Sequence, residues 1–269
     1  MSVASRSPVV PRPAATVVLL RDHPDGGVEV YLLRRPGRSS FAPHAFVFPG
    51  GAVDAADGDD EVLGLAPGFD PETARTRMQL DSGERGRRAC AAHHVAAVRE
   101  VFEEAGVLLG RDADGGELAP GDAERLAAAR RDLLAGTAFA PVLVRHRLQL
   151  APEVLVYVAH FITPAMAPKR FDTRFFLARA PLVQAAAVHP GEATEGGWYP
   201  PGELSERHRG DLTALMPPTR IICNELAEHD SVDAALRDLG TRPVTAVLFA
   251  PADVSAGRLP ERLPGPAPG

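Results

Sequence analysis

Apolar positions near the start of the chain alternate in a way that predicts two strands joined by a turn. The segments 15–21 (ATVVLLR) and 28–35 (VEVYLLRR) are rich in β-branched residues, and HPDGG lies between them. We therefore expect a β-hairpin. A short apolar run at 45–48 follows, and it ends in the turn 49–51, which has the sequence Pro-Gly-Gly.

Helical spacing is clearest from Arg88 to Leu109, where alanine, valine and leucine recur every three or four positions. Gly106 lies near the end of this segment, where glycine commonly terminates a helix. The same two patterns predict further helices at 71–80, 122–135, 202–209, 218–229 and 231–239, and further strands at 153–162, 173–180 and 197–199.

The segment 52–86 interrupts this regular pattern. It is acidic and punctuated by glycine and proline, and only 71–80 within it has helical spacing. We interpret it as a polar insertion on the surface, which is tolerable because loop-closure entropy rises slowly with length. Replacing residues 60–84 with a short glycine/serine linker is therefore expected to preserve cooperative unfolding while altering KM.

Composition narrows the class of protein. The chain has 269 residues, of which 45% are hydrophobic and 24% are charged, so it can bury a sizeable core. Its net charge of −6 argues against a partner with a nucleic-acid backbone. No apolar run approaches the ~18 residues that a membrane span requires. Two cysteines, Cys90 and Cys223, are too few for a four-cysteine metal site and fit a reducing cytoplasm.

Candidate chemistry begins with the sequence REVFEE at 99–104. In a helix, Glu100, Glu103 and Glu104 are at positions i, i+3 and i+4, so their carboxylates share one face. Carboxylate oxygens suit Mg²⁺ or Mn²⁺, which bind a few carboxylates together with substrate phosphates. A solvated acidic face is the alternative, because like-charge repulsion at this spacing costs only ~0.2–0.5 kcal/mol per pair.

The turn Phe48-Pro49-Gly50-Gly51 favours a site. Two glycines after a strand permit close approaches that a side chain would block, so backbone carbonyls or amides can face a cation or a diphosphate. An ordinary tight turn is the alternative interpretation.

Together these residues resemble the Nudix hydrolase box, with the pattern Gly, five residues, Glu, seven residues, Arg-Glu-apolar-any-Glu-Glu-any-Gly-apolar. Every fixed position of the second half is matched, by Arg99, Glu100, Val101, Glu103, Glu104, Gly106 and Val107. The first half matches at Gly51, with Asp57 in place of glutamate, and residues 58–98 separate Asp57 from Arg99. A box interrupted in this way resembles the acyl-coenzyme A diphosphatase branch of the family.

The resemblance implies an α/β fold, namely a Nudix-type α/β/α sandwich with a mixed β-sheet and helical additions. The Nudix domain is then expected at 14–240, with an insertion at about 58–88 that returns Asp57 close to the start of the helix. Residues 1–13 are expected to form a loose tail, and 241–269 a Pro-rich C-terminal extension.

The resemblance also implies roles for individual residues. In the family, a glycine carbonyl and the box glutamates hold divalent cations, which corresponds here to Gly50, Glu100, Glu103 and Glu104 with Mg²⁺ or Mn²⁺. Arg99 would orient the glutamates through ion pairs.

Two further roles are less closely defined by the resemblance. The general base would be a box glutamate or a carboxylate on a late loop, either Glu192 or Glu195, although both could be solvated loop acids. Candidates for binding substrate phosphate are Arg34, Arg35, Gly51, Arg170 and Arg174, although any of these arginines could be a surface charge. His93 and His94 are expected to be packing or solvated residues.

The implied activity is metal-dependent hydrolysis of a small molecule that contains a nucleoside-linked diphosphate. Coenzyme A or acyl-coenzyme A would yield adenosine 3′,5′-bisphosphate and phosphopantetheine or its acyl derivative. ADP-ribose, NADH or another nucleoside diphosphate derivative is the alternative within this class. A non-catalytic nucleotide-binding regulatory module is the alternative from another class, although it has no chemical need for three glutamates.

Overall fold

The alternating apolar residues at the start of the chain form a hairpin within a larger sheet in the computed structural model, which describes residues 9–39, 42–189, 193–250 and 260–264. Its strands are β1 (Arg12–Asp22), β2 (Val28–Arg34), β3 (Phe46–Val47), β4 (Gly50–Ala52), β5 (Gly110–Asp112), β6 (Leu148–Leu150), β7 (Val156–Ile162), β8 (Phe171–Arg179), β9 (Glu195–Tyr199) and β10 (Ala246–Leu248). Its α-helices are α1 (Asp60–Leu63), α2 (Pro71–Arg77), α3 (Glu84–Ala105), α4 (Ala123–Leu134), α5 (Phe139–Arg145), α6 (Pro201–Arg207), α7 (Pro217–Leu226) and α8 (Val232–Thr241).

The sheet is mixed and is arranged around β1. The main strand order is β10-β7-β8-β1-β2-β3, with β4 also paired to β1 and β9 also paired to β2. β1 runs parallel to β8 and antiparallel to both β2 and β4. Strands β5 and β6 form a separate antiparallel pair.

Period-two alternation in β1 divides the core into two layers. Val17 and Leu19 belong to the layer that includes α3, whereas Val18 and Leu20 belong to the layer that includes α7 and α8. Successive side chains of a strand point to opposite faces, so one apolar run supplies both layers. The α/β/α sandwich expected from the resemblance is confirmed. Among the described residues, no helix has both the length and the apolar character needed to cross a bilayer.

Helix α3 brings the acidic segment to the sheet. It begins at Glu84, four residues before the predicted start, and its last turn is closed by Gly106 in the left-handed conformation with φ 69°. Val98, Val101 and Phe102 are fully buried against the sheet. The opposite polar face is therefore directed away from this core, as helical periodicity requires.

The segment between β4 and α3 is not the polar surface excursion that its composition predicts. Val62, Ala66 and Met78 are at most 4% exposed and belong to the same core layer as α3. The Phe69 ring lies 4.7 Å from the His94 ring, measured between centroids. Because these apolar residues are widely spaced among polar ones, no periodic pattern marked them as core. Replacing residues 60–84 with a linker would remove these buried residues. The shortened protein is therefore expected to lose cooperative unfolding, contrary to the prediction from composition.

Short elements were missed for a related reason. Strands of two or three residues, such as β4 and β10, are too short to show alternation. β10 lies inside the predicted 241–269 extension, yet it pairs in parallel with β7 and so adds to the edge of the main sheet. Helix α5 also lacked a recognisable pattern, although Phe139, Val142 and Leu143 are buried.

Candidate active site

Arg99 joins the two halves of the interrupted box. Its Nε donates to Asp57 Oδ1 at 2.8 Å and its Nη2 donates to Asp57 Oδ2 at 2.9 Å. Arg99 is 7% exposed and Asp57 only 3%. Asp57 lies in a 3₁₀ turn at Ala55–Gly58, where its Oδ2 also accepts the backbone N–H of Asp54 at 2.8 Å. The chain between residues 58 and 98 thus returns to form a buried bidentate ion pair.

The same guanidinium also holds two of the box glutamates. Arg99 Nη1 donates to Glu100 Oε1 at 2.8 Å and to Glu103 Oε1 at 3.3 Å, while Nη2 donates to Ala52 O at 3.0 Å. Burial opposes the charged form, but the carboxylates of Asp57, Glu100 and Glu103 outweigh it and raise the pKa of Arg99. Arg99 therefore stays cationic and holds the carboxylates of Glu100 and Glu103 by ion pairs, the contacts that the resemblance to the Nudix box implies.

The two glycines of the turn allow α3 to approach β4. The Gly50 N–H donates to Glu104 Oε2 at 2.9 Å. A Cβ added at Gly51 would lie 2.5 Å from Glu100 Oε2, and one added at Gly50 would lie 2.5 Å from the carbonyl oxygen of Ala15. Gly51 therefore leaves room for a carboxylate, whereas Gly50 leaves room for strand β1.

The glutamate set fits a hard divalent cation by its donor chemistry. Burial raises the pKa of Glu100 to about 7, with the charge of Arg99 opposing this effect and that of Glu103 adding to it. A cation near the carboxylate would favour its charged form. Within the described part of the chain, no three His, Cys, Asp or Glu side chains are already gathered as a metal site. The carboxylates of Glu100 and Glu103 instead accept hydrogen bonds from Arg99, and that of Glu104 accepts one from the Gly50 N–H. A cation would have to replace these hydrogen bonds.

Glu195 and Arg34 meet at the start of β9. They are paired positions of β2 and β9, and Arg34 Nη1 lies 3.6 Å from Glu195 Oε1. Both side chains are nearly half exposed, at 42% and 47%. The loop that leads to Glu195 contacts α3, since His189 N–H donates to Glu104 O at 3.3 Å. Glu192, the other predicted base on this loop, lies outside the described residues.

The structure places Arg174 on β8, away from the glutamates, where it contacts an earlier part of α3. It is 7% exposed, and its Nη1 donates to Asp172 Oδ1 and contacts His93 Nε2, both at 3.1 Å. His93 precedes Glu100 by seven residues, which is about two helical turns. Arg170 donates to Thr163 O at 3.0 Å and thereby fixes a loop.

Three other predicted residues, Arg35, His93 and His94, have backbone and packing contacts. Arg35 follows β2 and its N–H donates to Ala45 O at 3.0 Å. His93 and His94 are buried, which lowers the pKa of each to about 4, so both are neutral packing residues as expected. The His94 ring lies 4.7 Å from the ring of Phe176, measured between centroids.

Sequence reasoning missed Arg130, which fixes the C-terminal end of α3 from another helix. Its guanidinium donates to Glu103 O at 2.7 Å and to Glu104 O at 2.9 Å. Helix α3 has no basic residue in its own last turn. The last carbonyls of a helix have no partner within it, so they were a signal that a donor must come from elsewhere, although the sequence does not show which one.

Comparison with known proteins places this chain in a family. A family model described as "NUDT19 Nudix domain" matches residues 11–222. "Acyl-coenzyme A diphosphatase NUDT19" of Homo sapiens is 31% identical over 264 residues, covering 82% of this chain and 66% of that protein. The Gallus gallus protein of the same name is 31% identical over 228 residues, covering 71% of this chain and 58% of that protein.

The chain thus spans less than two thirds of the length of these relatives. A crystal structure of a NUDIX hydrolase from Alicyclobacillus acidocaldarius matches with a TM-score of 0.65 and 26% identity, covering 90% of this chain and 99% of that one. Nudix hydrolases generally use divalent metals. With the family model covering most of its length and the interrupted box rejoined in space, this chain belongs to the NUDT19 Nudix domain family.

Proposed function

We propose that this chain hydrolyses the diphosphate of coenzyme A or acyl-coenzyme A in the presence of Mg²⁺ or Mn²⁺. The products would be adenosine 3′,5′-bisphosphate and phosphopantetheine or its acyl derivative. The observation that carries the proposal is the buried pair of Arg99 with Asp57, because it rebuilds the interrupted box and aligns Glu100 and Glu103. The names of the relatives support the choice of substrate.

Glu100, Glu103 and Glu104, with the backbone at Gly50, would hold the cations. The chemistry that a divalent cation supplies when bound is neutralisation of the diphosphate charge and activation of water. Arg99 holds the carboxylates of Glu100 and Glu103 on one side of α3, and a bound cation would replace some of these hydrogen bonds. With a net charge of −6, the protein itself offers no general attraction for an anionic substrate.

Glu195 and Arg34 would act on the other side of the diphosphate. We propose Glu195 as the general base, with a box glutamate or Glu192 as the alternatives. Arg34 has a partly exposed guanidinium beside it, which suits a phosphate oxygen. Arg35 and the Gly51 backbone remain further proposed contacts. Because Arg174 is buried against Asp172 and His93, we propose for it a role in fixing α3 rather than in binding phosphate.

Product analysis tests the proposal. The purified chain would be incubated with coenzyme A, octanoyl-coenzyme A, ADP-ribose or NADH, with and without Mg²⁺, and the products separated by chromatography. We expect adenosine 3′,5′-bisphosphate and octanoyl-phosphopantetheine, with no free thiol. Burial raises the pKa of both Cys90 and Cys223 to about 12, so neither thiol is a ready nucleophile for thioester cleavage.

Each other outcome has a defined meaning. Release of free thiol would identify a thioesterase and overturn the mechanism. Turnover of ADP-ribose or NADH alone would keep the mechanism and overturn the substrate. Nucleotide binding without any turnover would identify a regulatory module.

A further inference from the structure

A groove of about 370 Å³ lies between helix α4 and the segment 183–189. Its volume is in the range of small-molecule binding sites. The lining is mainly aliphatic and includes Leu126, Ala127, Leu134 and Val188. Val183, which lines the groove, is 41% exposed, and Leu182, its neighbour in the sequence, is 96% exposed. A ligand that covered these exposed apolar side chains would gain binding free energy, because apolar surface would be removed from water.

The groove is attached to the candidate catalytic helix. Arg130 belongs to its lining and also donates to the carbonyl oxygens of Glu103 and Glu104. On the opposite wall, Ala187 N–H donates to Ala105 O at 2.8 Å. Both walls are therefore fixed to the last turn of α3, whose side chains include two of the proposed cation ligands.

The charge of the groove favours an anionic ligand with an apolar tail. Its described lining includes two arginines, Arg130 and Arg131, and no Asp or Glu. An acyl-coenzyme A has this character, since an apolar chain is joined to a molecule with several phosphates. A carbon chain in the groove would remove apolar surface from water on both the chain and the residues that line the groove.

We propose that this groove binds the acyl chain of the substrate, an inference that rests on the proposed function. Affinity would then increase with chain length, because each buried methylene adds to the binding free energy. Coenzyme A without an acyl group would not use the groove.

A variant at Ala127 tests this proposal. Ala127 is exposed on α4 and lines the groove, so Ala127→Phe fills the groove without entering the core. The matched control is Ala135→Phe, at an exposed position at the end of the same helix and outside the groove. Thermal melts would verify that both variants fold.

Binding affinity would be measured by calorimetry in the presence of a metal chelator, which prevents turnover. KM would be measured separately with Mg²⁺. Both measurements would use coenzyme A, octanoyl-coenzyme A and dodecanoyl-coenzyme A below their micellar concentrations. We expect the wild type to bind dodecanoyl-coenzyme A at least about tenfold more tightly than coenzyme A. Ala127→Phe should reduce that ratio to less than about twofold and leave coenzyme A binding unchanged, while Ala135→Phe should keep the ratio.

The outcomes separate the two proposals. Binding or turnover of coenzyme A with no effect of chain length, or with the same ratio in Ala127→Phe, would overturn the groove inference alone. A change of molecular mass in Ala127→Phe by sedimentation would assign the groove to a second copy of the chain and also overturn it. Failure of the wild type to bind or cleave any of these ligands would overturn the proposed function, and the inference with it.

Discussion

Arg99 is the residue on which the geometry of the candidate site depends. One guanidinium contacts Asp57, Glu100, Glu103 and the carbonyl of Ala52, so a single planar fork sets the positions of several oxygens. The resemblance to the Nudix box implied its ion pairs with the glutamates of α3. Asp57 was also expected to return close to the start of α3. The sequence did not show the 3₁₀ turn at Ala55–Gly58 that places this shorter acid, because the turn has no periodic pattern.

The Arg99–Asp57 pair should be important for stability. Replacing Asp57 with alanine leaves a buried guanidinium without its bidentate partner, so we expect Asp57→Ala to lower the free energy of unfolding by about 3 kcal/mol. Asp54→Ala is the control, since Asp54 is 64% exposed and lies 3.8 Å from the same guanidinium. Urea denaturation would measure both, and equal losses in the two variants would contradict a special role for Asp57.

Glu100 and Glu104 should affect activity far more than stability. Glutamine keeps the volume of each side chain and removes the charge that would hold a cation. We therefore expect Glu100→Gln and Glu104→Gln to lower kcat at least about a hundredfold while circular dichroism melts stay close to the wild type. Glu84→Gln, at an exposed position in the first turn of α3, provides the control. Turnover near the wild-type rate at saturating Mg²⁺ would exclude that residue as a cation ligand.

The adjacent glycines should respond differently to the same change. At Gly51 a methyl group would meet the Glu100 carboxylate, so Gly51→Ala should lower kcat with a small change in melting temperature. At Gly50 it would meet backbone atoms of Ala15 and Thr16, so Gly50→Ala should lower the melting temperature itself. Paired melts and rate assays would distinguish these effects. A larger loss of stability in Gly51→Ala than in Gly50→Ala would contradict the assignment.

At the scale of elements, long periodic segments were predictable and short ones were not. Helix α3 and strands β1, β2, β7 and β8 follow clear patterns, and the structure places them within a few residues of their predicted bounds. The structure of the insertion was not predictable, because its core contacts come from isolated apolar residues. Arg77 adds to these contacts by donating to Tyr157 O at 2.9 Å and to Leu239 O at 3.2 Å. Such contacts depend on the tertiary structure and leave no local signal.

The insertion should therefore contribute to stability through its buried residues. Met78 is 3% exposed and its sulfur lies 3.5 Å from the Cys90 sulfur on α3. We expect Met78→Ala to lower the free energy of unfolding by about 2–4 kcal/mol, because truncation leaves a cavity. Glu72→Ala, at an exposed position of α2, should have little effect. Chemical denaturation would compare the two, and a neutral Met78→Ala would restore the interpretation of a surface excursion.

At the scale of the whole molecule, the fold encloses neutral histidines that link stability to pH. Burial, together with the charge of Arg174 at His93, lowers the pKa of His93 and His94 to about 4 from an ordinary value of 6.5. The unfolded chain therefore binds protons that the native chain does not bind between these two values. Stability from this source is present above about pH 6.5 and is lost as the pH falls towards 4.

The variant His94→Phe isolates this contribution. It removes one titrating group from a site where the ring already packs between Phe69 and Phe176. The free energy of unfolding would be measured by urea denaturation between about pH 7 and about pH 5. We expect the wild type to lose more stability over this interval than His94→Phe. Parallel pH profiles would show that His94 titrates alike in the native and unfolded chains.

The parallel pairing of β1 with β8 has a consequence for biosynthesis. Arg12 pairs with Phe171, so the central strand of the sheet leaves the ribosome 159 residues before its parallel neighbour begins. At roughly 5–20 residues per second, β1 waits for roughly 8–30 s with one edge unpaired. During that time the hairpin with β2 is its main local partner, and its apolar run is open to other nascent chains. Protection by a chaperone over this interval would raise the yield of folded protein without changing its final stability.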